Sequence, residues 1–283
     1  MNQHINGLYP QQLARQLCNK GKSGCDWYHG NWHLLKALGV VSTSAIHEQS
    51  LSQLLKLALT GIAAPRILIT GSTDETLVRL AYHTCHTLGL EAKLYAVDIC
   101  ATPLAFMQAY AKEQQIELET CCLNILDFKS EHKFDVILTH AFMGYFDDIQ
   151  RPLLIKKWKQ LLADEGSIVT IQRVRSPDSP ALVTFTAQQS AQFIARALEA
   201  AKIAEFNNQS DLDAIRVASR EFTENFVSHA IRSKTTLESL FTEANMTFYF
   251  LEYQRLEKKD GLSGPSVPFN AEFAHIIAKK IPG

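Results

Sequence analysis

Two aspartates fall just past apolar, strand-like runs: Asp98 closes AKLYAVD, and Asp127 follows Ile116–Cys122. A carboxylate at the end of a strand can accept both hydroxyls of a ribose. A second one, past the next strand, can take an exocyclic amine, and the backbone N–H of Phe128 can serve a ring nitrogen. These partners suit a nucleoside. Gly71 follows the first run, RILIT, where a bare backbone lets a ligand approach, and Ser72 and Glu75 stand behind it at capping-box spacing. His140 follows the fourth run, FDVILT. Its ordinary pKa near neutrality suits a general base, and a hydrogen-bonded structural histidine is the competing reading. Tyr145 and Arg173 are candidate walls of the same pocket.

The segment Cys25–His33, CDWYHGNWH, holds two Trp, a Tyr, two His and an Asp. His29 and His33 have the i,i+4 spacing that holds a metal on a helix, yet no third ligand stands close by, and no metal is expected. The plain reading is a Trp-rich helical cap. The functional one makes Tyr28 and His29 lid contacts over a pocket. The six cysteines form no CxxC pair and read as reduced thiols filling core space.

These residues need a scaffold that lines up strand ends. From Pro65 to Val174 apolar runs alternate with amphipathic helices: strands at Arg66–Thr70, Ala92–Asp98, Ile116–Cys122, Phe134–Thr139 and Ser167–Val174, with a turn at Glu165-Gly166 before the fifth. That rhythm predicts a Rossmann-like doubly wound α/β sheet, mostly parallel. Residues 1–60 read as an N-terminal helical cap and residues 61–283 as the α/β domain, with a helical insert at about 180–234. Thr235 and Glu238 suggest a further capping box. Met246–Tyr253 and Ala271–Lys279 read as closing strands, the last antiparallel, joined by the turn-rich linker GLSGPSVPFN.

The chain has 283 residues, with 28 Lys plus Arg against 29 Asp plus Glu, a formal net charge of -1. This balance argues against a broad basic face for nucleic acid. The short cluster Arg151, Lys156, Lys157 and Lys159 reads as the solvated face of a helix. No apolar run is long enough for a membrane span, and the N-terminal segment lacks the charged start and apolar run of a signal peptide, so a cytoplasmic protein is expected.

Taken together, Ile67–Val174 and roughly Thr235–Lys279 resemble the class I S-adenosylmethionine-dependent methyltransferases. Gly71 in ILITGSTDE matches the first glycine of that family's Gly-rich turn. Ile69 stands where the family has an acid, and Thr73 and Glu75 replace the later glycines. Asp98 falls at the ribose-binding acid, and Asp127-Phe128 at the adenine-binding pair. Asp98–Leu104 matches a D-x-C-x-T-P-L segment of a bacterial subset with similarly degenerate turns. The resemblance implies S-adenosylmethionine as cofactor, S-adenosylhomocysteine as product, and a cofactor site of Gly71, Ser72, Asp98, Ile99, Asp127, Phe128 and His140. It implies methyl transfer to a small-molecule acceptor or, alternatively, a non-catalytic binding or regulatory module on the same fold. A nicotinamide dinucleotide fits less well. Its pyrophosphate would meet Asp74 and Glu75 at the first helix start, and GxGxxG is absent.

Overall fold

The computed structural model describes residues 10–18, 24–41, 44–206, 208–255 and 272–281. The linker expected at Gly261–Asn270 lies outside them. In chain order the elements begin with α1 (Pro10–Leu17), α2 (Asp26–Ala37), a 3-10 turn (Ser44–His47) running into α3 (Glu48–Ala58), β1 (Arg66–Thr70) and α4 (Thr76–Thr87). Next come β2 (Lys93–Asp98), α5 (Ala101–Glu113), β3 (Leu118–Cys122), β4 (Phe134–His140), a second 3-10 turn (Phe142–Tyr145), α6 (Gln150–Leu161) and β5 (Leu162–Val174). The chain continues with β6 (Leu182–Val183), α7 (Ala187–Ile203), α8 (Gln209–Asn225), β7 (Ser228–His229), α9 (Lys234–Thr242), β8 (Met246–Arg255) and β9 (Glu272–Lys280).

The chain forms two compact units, one of residues 1–43, 182–228 and 256–271, the other of residues 44–181, 229–255 and 272–283. The second holds a seven-stranded sheet in the order β3-β2-β1-β4-β5-β9-β8. Its strands β1 to β5 pair in parallel, and β9 is antiparallel to both β5 and β8. This is the mostly parallel, Rossmann-like sheet that the βαβ rhythm predicts.

Because side chains alternate across a strand, a strand covered on both faces must be apolar throughout. RILIT obeys this rule. Ile67 and Ile69 join Leu51, Leu54 and Leu55 of α3 and Leu77 and Leu80 of α4 in one core layer. Leu68 joins Leu154, Ile155 and Trp158 of α6 and Leu237 and Phe241 of α9 in the other. The buried stripe Leu51, Leu54, Leu55 and Ala58 has the i, i+3, i+4, i+7 spacing of one helix face, so α3 packs on the sheet.

The smaller unit has its own core. Trp32 and Leu35 of α2 meet Phe193, Ala197 and Ala201 of α7 and Ile215 and Phe222 of α8. Thr186 and Gln189 form a full capping box at the start of α7, one that the sequence reading passed over. Among the described residues, no helix is long and apolar enough to cross a membrane.

Several local expectations are corrected. Glu165-Gly166 is not a turn between helix and strand. It lies inside β5, where the pairing jumps from Phe134↔Leu162 to Val136↔Ser167. A Cβ on Gly166 would sit 2.7 Å from the Phe134 carbonyl oxygen, so the glycine permits a bulge there. Ser72 does not cap α4. Its hydroxyl donates to the Asp74 carbonyl, and the Asp74 carboxylate accepts the Thr76 N–H. Ser233, not Thr235, caps α9, accepting the Thr236 N–H. Arg151 is not solvated but 1% exposed. It donates to the Met143, His229 and Ala230 carbonyls and to the Asp148 carboxylate. Of its basic companions, Lys157 donates to the Phe128 carbonyl and Lys159 to those of Ala244 and Asn245.

Candidate active site

The strand order reverses between β1 and β4, and in open α/β sheets ligands bind beyond the carboxyl ends at such a point. The Thr139 hydroxyl on β4 donates to the Thr70 carbonyl on β1 and ties the two strands there, at 2.8 Å. The Thr70 hydroxyl itself is buried with no hydrogen-bond partner among the described residues, leaving an unsatisfied polar atom at the switch point.

Gly71 follows directly, with φ +64°, a conformation that favours glycine. Its face is not bare. A Cβ there would fall 2.0 Å from a Phe142 ring carbon. Phe142 in turn follows Ala141, which holds φ 51° in the left-handed region. A non-glycine residue in that conformation stores strain of about 1–3 kcal/mol, and such strain gathers at functional sites. Gly71→Ala should therefore lose about 1–3 kcal/mol of stability by urea denaturation. Adding Phe142→Ala should recover the steric part. If the double variant is no more stable than the single one, the ring is not the cause.

Asp98 ends β2, and its Oδ1 accepts the Cys100 N–H at 2.9 Å, which fixes the carboxylate at the start of α5. The next residue, Ile99, is 64% exposed, an apolar side chain left open at a strand's carboxyl end. Past β3 the first polar side chain is Asn124, which the sequence reading missed. It stands two residues beyond the strand, whereas Asp127 lies a further turn away and is exposed. The Asp127 and Phe128 N–H groups both donate to the Asn124 carbonyl, and the Phe128 ring is core. The end of β3 at Cys122 was read correctly from the sequence; a neutral amide two residues on carried no signal against the charge of Asp127.

His140 is the last residue of β4 and belongs to a buried imidazole group. Its ring centroid is 5.3 Å from that of His47 at the start of α3, and His47 is 5.7 Å from His275 on β9. The Nε2 atoms of all three are buried without a hydrogen-bond partner among the described residues. Burial, reinforced by His275, pushes the His140 pKa down to about 4. Burial, with His140 and His275 adding to it, pushes His47 down to about 3. His140 is thus neutral at physiological pH, the form that accepts a proton, but it holds that proton weakly.

Arg173, near the end of β5, lies over the Phe273 ring at 5.5 Å, and burial together with Arg175 lowers its pKa to about 9. Tyr145 is 59% exposed. The structure therefore brings Gly71, Ser72, Asp98, Ile99, His140 and Arg173 to the strand ends of one unit. Tyr28 and His29 belong to α2 of the smaller unit. Tyr28 stacks on Phe222 at 6.1 Å, and His29 Nδ1 is 3.5 Å from Cys18 Sγ.

Residues 77–170 match the methyltransferase domain family. Among solved structures, the geranyl diphosphate C-methyltransferase from Streptomyces coelicolor superposes with TM-score 0.52 at 13% identity, covering 83% of this chain and 79% of that one. An S-adenosylmethionine-dependent methyltransferase from Clostridium acetobutylicum gives 0.51 at 11% identity, covering 82% and 91%. TehB from Haemophilus influenzae gives 0.50 at 14% identity, covering 80% of this chain and 61% of that longer one. A search of curated proteins by sequence finds no match.

Proposed function

We propose that the chain, whose residues 77–170 match the methyltransferase domain family, is a class I S-adenosylmethionine-dependent methyltransferase that transfers a methyl group from S-adenosylmethionine to a small-molecule acceptor. The observation that carries the reading is Asp98 with Ile99 beyond it: a fixed carboxylate beside an open apolar side chain at the end of β2. That pair suits a ribose and the flat face of an adenine. Asn124 is the nearer candidate for the adenine edge: its Oδ1 accepts the Leu126 N–H at 3.0 Å, which holds the amide so that its N–H groups can donate to a ring nitrogen. The unsatisfied Thr70 hydroxyl is a further polar group that a ligand at the switch point could engage.

When bound, the cofactor supplies an electrophilic methyl on sulfonium, already a good leaving group. The chain's own work is to align the acceptor and keep out water. His140 can take a proton from the acceptor. Its low proton affinity suits an acceptor that is itself acidic, or one that loses its proton only as transfer proceeds. A second reading, a module that binds the cofactor or its product without turnover, is favoured by the Phe142 ring covering Gly71.

Calorimetric titration with S-adenosylmethionine and S-adenosylhomocysteine tests both. Asp98→Ala should weaken binding by roughly 10–100-fold, about 1–3 kcal/mol. Asp98→Asn, which keeps an acceptor for the Cys100 N–H, separates the ligand's loss from damage to α5. No binding at millimolar ligand, or full affinity in Asp98→Ala, would sink the cofactor site. Binding without transfer across a broad acceptor screen would favour the non-catalytic module.

A further inference from the structure

We infer that Cys18, Cys25 and His29 form a zinc site inside the smaller, helical unit. Each offers one donor atom, and these atoms lie within 4.8 Å of one another. Cys18 Sγ and His29 Nδ1 are 3.5 Å apart. Zinc bonds of about 2.3 Å to sulfur and 2.0–2.1 Å to nitrogen, at a tetrahedral angle, put the two ligand atoms about 3.5 Å apart. The pair thus already spans one edge of a zinc tetrahedron.

The elements hold the donors in place. The Cys18 N–H donates to the Ala14 carbonyl, so Cys18 extends the last turn of α1. Cys25 is the N-cap residue of α2, and the His29 N–H donates to the Cys25 carbonyl, which sets the two side chains one turn apart. Cys18 and His29 are buried, at 5% and 8% exposure. An ion here would fasten the end of α1 to the start of α2.

The donor chemistry selects the metal. Thiolate and imidazole ligands suit zinc and similar thiophilic ions, whereas magnesium and calcium take oxygen. Binding releases the two thiol protons, and two thiolates neutralise a divalent ion, which makes its burial tolerable. The sequence pointed elsewhere, because it paired His29 with His33 and showed no CxxC. The C-x6-C-x3-H spacing becomes a donor set only once α1 and α2 pack.

The test uses the reduced, tag-free full chain. Metal analysis after dialysis should find about one zinc per chain. Cobalt added to the metal-stripped protein should give a thiolate-to-cobalt charge-transfer band and tetrahedral visible bands, which zinc abolishes. Cys25→Ser and His29→Gln should each weaken cobalt binding by roughly 100-fold or more, while His33→Gln leaves it unchanged. The wild-type spectrum decides even if a variant fails to fold. Absence of the charge-transfer band, an equal band in a Cys18→Ser/Cys25→Ser double variant, or a Cys18–Cys25 disulfide in protein prepared without oxygen would overturn the site. Cofactor titration is read separately, so either proposal can fail alone.

Discussion

Replacing Arg151 with alanine is expected to cost about 3–5 kcal/mol of folding stability. The guanidinium is 1% exposed and gathers carbonyls from distant stretches of chain: Met143 in the turn after β4, and His229 and Ala230 where the chain re-enters the sheet unit. Truncation would strand these acceptors in the interior and open a large cavity. Lysine keeps the charge but offers one nitrogen where three now donate, so Arg151→Lys should fall between wild type and alanine. Urea denaturation followed by circular dichroism measures both. A loss below about 1 kcal/mol in Arg151→Ala would show that water replaces the guanidinium. Because Met143 lies in the same 3-10 turn as Phe142, a loosened Arg151 should also disturb the wall over Gly71.

Acidification is the second large effect. His47 and His140 have folded-state pKa values of about 3 and about 4, below the ordinary value of 6.5, and burial is the leading cause for both. His275 is lowered too, chiefly by burial, with Glu252 opposing. Above pH 6.5 both folded and unfolded chains carry these groups neutral, so their full stability is present. Below it the unfolded chain takes up protons that the folded chain refuses, and stability falls until the folded pKa values are reached. Each group contributes roughly 1.4 kcal/mol per pH unit inside that window. His47 and His140 together should cost about 2–4 kcal/mol between pH 7.5 and 5. His47→Gln removes one titration and should flatten the stability profile between pH 6.5 and 4. An identical slope in that variant would mean that His47 is already protonated in the folded state.

The sheet was legible in the sequence because its signal is local. The ILI of RILIT and the VIL of FDVILT are apolar runs bounded by polar residues, and burial on both faces requires that pattern. The placement of Asp98 was legible for the same reason, since it ends such a run. Asn124 was not. The strand's end at Cys122 was placed correctly, but a charged Asp127 outweighed a neutral amide that carries no charge signal. Arg151 was misread because its partners are backbone carbonyls as many as 79 positions away, and a carbonyl carries no residue signature. The α4 start was misread because Ser72 and Asp74 can both cap, and only the backbone path decides between them. Cys18, Cys25 and His29 carried no familiar spacing at all.

The position of β9 has a consequence for how the chain comes together. β8 is made before β9 yet borders the sheet only through it. Until β9 arrives, β5 presents an open edge whose residues Ile168, Val169 and Ile171 are strongly β-forming, and β8 has no strand to join. Completion of the sheet therefore awaits a segment distant in sequence from β5, the slow and aggregation-prone kind of closure. A substitution that weakens Ile276 or Ile277 should show first as insoluble protein during synthesis, even where the purified remainder is nearly as stable as wild type.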